Sequence, residues 1–168
     1  HFDDVWKAEL IASMPRGAKR FQRAILRQVL SISSSCARIL AKAKGPVCLD
    51  SLTSVDTNVL EALSQHRGTL SLSGLTHLSE KDGLILSRHR GHLRLNGIKS
   101  LDVKFLRAIS THVGMLSFNG VKSINSQEAE IIADMRAPVS LKGADNISAN
   151  SLQILSKKLG YRVRVSTF

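Results

Sequence analysis

The chain is poor in aromatic residues, cysteine and acidic residues. Aromatic residues make up 4% of the 168 residues, so no platform of stacked rings for single-stranded nucleic acid is visible. The two cysteines, Cys36 and Cys48, fall in no CxxC or His-paired spacing, which argues against a disulfide framework or a zinc motif. No apolar run approaches the roughly 18 residues that would cross a bilayer. The length and the 43% of hydrophobic residues suit one domain with a sizeable core.

Catalytic motifs are missing as well. The sequence contains no Gly-rich phosphate loop, no GxSxG elbow and no HExxH pair. Its acidic residues are scattered along predicted helices, where their usual role is solvation. We therefore expect a binding module that is not an enzyme and needs no cofactor. The chain starts at His1 without a signal-peptide pattern, and we interpret it as a fragment or a processed form whose localisation stays open.

What the chain has in place of these features is a repeat of 23 residues. Copies begin at Val47, Leu70, Leu93, Leu116 and Val139, and residues 31–46 form an earlier, degenerate copy. The fifth position of four copies is glycine: Gly74, Gly97, Gly120 and Gly143. A fixed period of this length is the signature of a repeat architecture, in which each unit needs its neighbours to bury its apolar face.

Each unit predicts a short strand, a glycine-assisted turn and a helix of two to three turns. The strands are predicted over 70–73, 93–96, 116–119 and 139–142. The predicted helix caps are Ser79, Asp102, Asn125 and Ser148. The glycines predicted to end the helices as C′ residues are Gly68, Gly91, Gly114 and Gly160. Because strands pack about 4.8 Å apart and helix axes about 8 to 10 Å apart, the stack should curve into a horseshoe with its strands inside.

These units resemble leucine-rich repeats, in particular the bacterial variant that reads LxLxGLxxLxxxxAxxLAxxxGx. The resemblance covers about residues 47–168, and residues 24–46 weakly. It implies an α/β fold: a right-handed solenoid with parallel strands on the concave side and helices on the convex side. We expect a basic helical N-terminal cap over residues 1–30 and five to six repeats over residues 31–168.

The units depart from the family pattern at the position that normally holds a ladder-forming asparagine. Apolar residues occupy it here: Leu75, Ile98, Val121 and Ala144. Asn96 and Asn119 lie two positions earlier. We therefore expect glycine geometry and apolar packing, rather than an asparagine ladder, to close the turn.

The resemblance also implies a function, since the concave side of this family commonly binds a protein or peptide. The candidate partner-binding residues on that face are Asp50, Arg94, Asn96, Asn119, Lys142 and Arg164. We expect Arg94, Lys142 and Arg164 to hold the partner while the two asparagines add hydrogen bonds, and substitution to leave folding almost unchanged. The alternative is a sheet face that is merely solvated, because fold alone does not fix function.

The positive charge is concentrated near the N-terminus. Lysine and arginine exceed the acidic residues by 11, and residues 10–45 contain eight basic residues and no acidic one. The candidate polyanion-binding residues of one predicted helix are Arg16, Lys19, Arg20, Arg23 and Arg27. A polar cap for the first repeat would account for the helix. The alternative function is binding of nucleic acid or an anionic membrane surface through this basic helix and basic edge residues, and it would account for the uniform sign of the charge. The oligomeric state stays open.

Three histidines, His66, His89 and His112, also recur at the repeat spacing. Imidazole suits zinc, copper and nickel, but no carboxylate or cysteine recurs beside them to complete a metal site. We therefore expect no metal. We interpret the histidines as inherited with the repeat and as cations placed favourably near helix C-termini.

The two ends carry further predictions. In the opening stretch, Val5, Trp6, Leu10 and Ile11 form an apolar set on a short helix, which we expect to fold over the first unit. At the other end, the sequence YRVRVSTF predicts a last strand after a register slip of one residue.

Overall fold

The computed structural model describes residues 5–14, 26–159 and 163–165. Among these residues the chain forms seven helices and eight strands. The helices are α1 (Val5–Ser13), α2 (Ser34–Leu40), α3 (Thr57–Ser64), α4 (Glu80–Leu86), α5 (Val103–Ile109), α6 (Ser126–Asp134) and α7 (Ala149–Leu159). The strands are β1 (Val47–Cys48), β2 (Leu70–Ser71), β3 (Leu93–Arg94), β4 (Leu116–Ser117), β5 (Ser123–Ile124), β6 (Val139–Leu141), β7 (Asn146–Ile147) and β8 (Val163–Val165). None of these helices has the length and the apolar composition that a bilayer-spanning helix needs.

Six of the strands form one parallel sheet in the order β1-β2-β3-β4-β6-β8. Residues 23 positions apart pair directly, as Leu70 does with Leu93, so the sequence repeat is also the register of the sheet. The strands have two or three residues, which is shorter than predicted. Val139 pairs with Val163, a step of 24 residues, and this confirms the predicted slip of one residue. The mixed α/β class is confirmed.

The helix N-termini lie where the sequence predicts them. Asp102 accepts a hydrogen bond from the Phe105 backbone nitrogen, and Ser79 and Asn125 each form a reciprocal capping box. Ser148 Oγ accepts from the Ser151 nitrogen at 3.1 Å. All four predicted caps are thus confirmed. Each helix packs against the next one along the chain, so helices and strands advance together from unit to unit.

The prediction for the helix C-termini is wrong. Helices α3, α4 and α5 end at Ser64, Leu86 and Ile109, and the residue that follows each of them keeps a right-handed helical conformation. The glycines come several residues later, in the loops that lead to the next strand. Gly160 lies outside the described residues.

These glycines are needed because the loops of neighbouring units touch. A Cβ atom built on Gly91 would lie 1.9 Å from the carbonyl oxygen of Gly68, and one on Gly114 would lie 2.0 Å from that of Gly91. No side chain fits at those distances. The glycines therefore permit close stacking of the loops rather than reversal of a helix end.

The core lies between the sheet and the helices. Its side chains include those at the third position of successive units, Leu72, Leu95, Phe118 and Leu141, all completely buried. Leu75 and its counterparts Ile98, Val121 and Ala144 are also buried, which confirms the predicted apolar packing at that position. At the N-terminus, α1 packs against α2 and buries Ile11, whereas Val5 and Leu10 are 42% and 46% exposed. The apolar set of the opening stretch is therefore only partly covered.

Candidate binding face of the sheet

One face of the sheet carries side chains from the second and fourth positions of each unit, which alternate with the buried leucines. We call this surface the polar sheet face: Cys48, Asp50, Ser71, Ser73, Arg94, Asn96, Ser117, Asn119, Ser140 and Lys142. The small residues at the second position are buried, at 4% exposure or less. Arg94 is the exception at this position, because its longer side chain remains partly exposed.

The asparagines on this face form a ladder of hydrogen bonds between units. Asn96 Oδ1 accepts from Ser117 Oγ at 2.9 Å and from the Asn119 backbone nitrogen at 3.0 Å. Asn119 Oδ1 accepts from Ser140 Oγ at 2.8 Å and from the Lys142 backbone nitrogen at 3.0 Å. An asparagine ladder therefore forms two positions earlier in the repeat than its usual place, on the sheet and not in the turn, and sequence reasoning did not predict it there.

The ladder is weakest between strands β2 and β3. Asp50 Oδ1 makes the same pair of contacts, with Ser71 Oγ at 2.5 Å and the Ser73 nitrogen at 3.0 Å. The next unit has the shorter Ser73 at the fourth position. Its hydroxyl reaches the Asn96 nitrogen only at 3.4 Å. The junction between the units of Ser73 and Asn96 is thus the one with the weakest ladder on this face, among the described residues.

The ladder changes how three of the predicted site residues are understood. The side-chain oxygens of Asp50, Asn96 and Asn119 are engaged within the sheet. We therefore expect substitution of these residues to affect folding, contrary to the sequence-based expectation. The same hydrogen bonds also hold the polar sheet face in a fixed arrangement.

Arg94 lies in an open hollow on this face. The hollow is lined by His92, Arg94, Asn96, Met115, Ser117, Asn119, Ser140 and Lys142. No carboxylate is among these residues, and over the described parts of the chain the Arg94 guanidinium has no hydrogen-bond or ion-pair partner. Burial lowers the pKa of His92, and the charge of Arg94 lowers it further. At neutral pH His92 is therefore uncharged, and the positive charge of the hollow belongs to Arg94 and Lys142.

The other predicted binding residues are Arg164, on the last strand, and the basic residues near the N-terminus. Arg164 pairs with Ser140 in the backbone register, which puts it at the second position of the last strand. Arg16, Lys19, Arg20 and Arg23 lie outside the described residues, so the alternative at the N-terminal helix stays a prediction. Arg27 is exposed, and its carbonyl accepts a hydrogen bond from Ser51 Oγ.

The three histidines form a buried stack under the loops. His66, His89 and His112 are 1% exposed or less. The rings of His66 and His89 are 6.2 Å apart, those of His89 and His112 are 5.9 Å apart, and both pairs are inclined by 13°. His66 Nδ1 lies 3.2 Å from the Ala41 carbonyl. Neither ring nitrogen of His89 or His112 has a well-formed hydrogen bond to a described residue.

The environment of the stack keeps the histidines neutral. Burial lowers the pKa of all three, and for His89 burial together with the neighbouring His112 and His66 lowers it to about 4. Our interpretation of these residues as cations that favour helix C-termini is therefore wrong. Within the described ranges, no group of three or more histidine, cysteine or acidic residues could hold a metal ion.

Sequence reasoning missed the ladder although a signal for it was present. Each ladder asparagine or aspartate is followed, 21 residues later, by serine: Asp50 by Ser71, Asn96 by Ser117 and Asn119 by Ser140.

Comparison with protein-family models, curated proteins and solved structures finds no match for this chain. The function of the site must therefore be inferred from its own geometry.

Proposed function

We propose that the chain is a non-catalytic binding module of the leucine-rich-repeat type. In this proposal the units form a right-handed solenoid, and the polar sheet face is its concave side. The parallel register of one unit per strand supports the solenoid. The partner is a protein whose acidic peptide segment lies along that face.

The observation that carries this proposal is the hollow around Arg94. Its guanidinium is partly exposed and is not neutralised by any carboxylate lining the hollow. Arginine presents several N–H donors in a rigid plane, which matches the two oxygens of a carboxylate. Charge-assisted hydrogen bonds of this kind are roughly twice as strong as neutral ones. A glutamate or aspartate side chain is therefore the group that this position recognises best.

The surrounding residues suit a peptide rather than a small anion. The hollow extends over three units, from Arg94 through Asn119 to Lys142. Polar side chains line it at the spacing of the strands, so an extended segment can bring successive groups to successive units. Because the ladder holds the side chains of Asn96 and Asn119 before binding, these two side chains lose little entropy when the partner binds.

An oligoglutamate peptide labelled with fluorescein tests the proposal. Its affinity for the whole chain is measured by fluorescence anisotropy, and Arg94→Ala is compared with Arg107→Ala. Arg107 is an exposed arginine in the same unit, on helix α5. We expect Arg94→Ala to weaken binding by about tenfold, the loss that corresponds to about 1.4 kcal/mol, and Arg107→Ala to leave it unchanged.

Equal losses for the two variants would show that the peptide follows net charge and does not recognise the face. The double variant Arg94→Ala/Arg164→Ala adds a second check. If this variant retains the affinity of the original chain, the assignment of binding to the polar sheet face fails.

A further inference from the structure

Basic side chains recur in the loops that follow helices α2, α3 and α4 and lead to the next strand. Three successive loops, over residues 41–46, 65–69 and 87–92, contain no acidic residue. Their exposed charged residues form what we call the basic loop edge: Lys42, Lys44, Arg67, Arg88 and Arg90. This surface includes none of the residues of the polar sheet face, although His92 at the end of the third loop also lines the Arg94 hollow.

Close stacking of the loops aligns these side chains in a row. A Cβ atom on Gly68 would lie 3.2 Å from the Gly45 carbonyl oxygen, and one on Gly91 would lie 1.9 Å from that of Gly68. Lys44, Arg67 and Arg90 each precede one of these stacked glycines, so they follow one another from unit to unit. The buried rings of His66 and His89, which belong to two of these loops, are 6.2 Å apart.

The cations also converge without being neutralised. Arg67, Arg88 and Arg90 line one open hollow together with Ser64, Gln65 and His66. In the part of the chain that the structure describes, none of the five basic side chains has an ion-pair or hydrogen-bond partner. The positive charges of Arg67, Arg88 and Arg90, which line the same hollow, repel one another. Close packing of the loops depends on the glycines and does not require these three arginines. An anionic ligand would remove that repulsion.

We propose that the basic loop edge binds the phosphodiester backbone of a nucleic acid. A regular row of cations suits a linear polymer with one negative charge per monomer. Arginine matches the oxygens of a phosphate with a planar set of donors, and neutralised phosphates release their counterions as a driving force. The edge has no exposed aromatic ring to stack on bases, so binding is independent of base sequence.

The same loops are poorly suited to the other anionic partners. Most protein interfaces combine arginine with tryptophan or tyrosine anchors, and a membrane-surface element inserts apolar side chains between the headgroups. No large apolar side chain is exposed in the three loops. Charge with hardly any apolar surface favours a nucleic acid backbone over both alternatives.

Fluorescence anisotropy with a fluorescein-labelled oligothymidylate, recorded over a series of salt concentrations, tests this assignment on the whole chain. The double variant Arg67→Ala/Arg90→Ala removes two cations from the row. Its matched control is Lys81→Ala/Lys104→Ala, which removes two exposed cations at the same spacing of 23 residues from helices α4 and α5. Circular dichroism checks that both variants are folded.

We expect the affinity of the original chain to fall linearly with salt on logarithmic axes. Because each phosphate contact to a single strand contributes about 0.7 to that slope, the arginine variant should lower it by about 1.4. The lysine control should keep the original slope. Equal effects of the two variants would overturn the proposal, and so would binding to phosphatidylglycerol vesicles or oligoglutamate in the absence of oligothymidylate binding. Unlabelled single strands and duplexes, used as competitors, then identify the preferred form.

Discussion

Replacement of Asn119 by alanine tests whether the side-chain ladder holds neighbouring units together. The substitution removes the acceptor of two hydrogen bonds, from Ser140 Oγ at 2.8 Å and from the Lys142 backbone nitrogen at 3.0 Å. A hydrogen bond contributes about 0.5 to 1.5 kcal/mol net. We therefore expect the free energy of unfolding to fall by about 1 to 3 kcal/mol. Most of the loss should come from the Ser140 hydroxyl, which is 2% exposed and would be left unpaired.

Urea unfolding followed by circular dichroism measures this change, provided that the slope with denaturant stays the same in all variants. Asn119→Asp is the informative comparison, because it keeps an oxygen at the same place. Asp50 already makes the equivalent pair of contacts in the first unit. We expect this variant to retain most of the stability. Asn58→Ala, at an exposed position of helix α3, serves as the control and should change stability by less than about 0.5 kcal/mol.

Two results would refute this reasoning. Asn119→Ala could prove as stable as Asn58→Ala, which would mean that water replaces the ladder at no cost. Alternatively, Asn119→Asp could lose as much stability as Asn119→Ala, which would mean that the oxygen acceptor is not the group that matters.

Two further predictions concern the loops. The His89 pKa of about 4 lies below the 6.5 of the unfolded chain, so stability is fully present above about pH 6.5 and falls by about 3 kcal/mol as the pH drops to about 4. His89→Met, which copies the buried Met135 of a later unit, should flatten this dependence in urea titrations. Gly91→Ala should cost about 1 to 3 kcal/mol, because its Cβ would meet the Gly68 carbonyl, and thermal unfolding measures that loss.

Each of these two predictions has a result that would contradict it. If His89→Met and the original chain lose the same stability between pH 7 and pH 4.5, His89 does not govern acid sensitivity. Ser100→Ala, in an exposed loop, is the comparison for Gly91→Ala. Equal melting temperatures of the two variants would mean that the loops are less closely stacked than the structure shows.

The unit architecture could be predicted because its signals are local. A polar cap residue before an apolar helical pattern identified all four predicted N-termini, as at Asp102. The spacing of 23 residues predicted the strand register, and the extra residue before Val163 predicted the slip. Each of these features depends on a short segment and on the repetition of that segment.

The features that sequence reasoning missed depend on distances between units. Asn96 lies two positions before the usual ladder position of leucine-rich repeats, and this concealed its hydrogen bonds to Ser117 and Asn119 across the sheet. A glycine after a helix, such as Gly91, is usually a C′ residue, and only the course of the neighbouring loop shows the contact with Gly68. The burial of His89 depends in the same way on the loops that cover it.

The junction between the units that begin at Leu70 and Leu93 is held unequally on its two sides. On the helix side Gly83 has no side chain, and a Cβ there would lie 2.9 Å from the Ala108 Cβ, so α4 and α5 pack closely. On the sheet side the ladder is reduced to the 3.4 Å contact between Ser73 and Asn96. On the sheet side this junction therefore depends on the backbone pairs of β2 and β3, whereas the neighbouring junctions have well-formed side-chain hydrogen bonds as well. The Arg94 hollow begins on the Leu93 side of this junction and extends away from it, so only a partner that also contacted Ser71 and Ser73 would bridge the junction and add to its weak side-chain ladder.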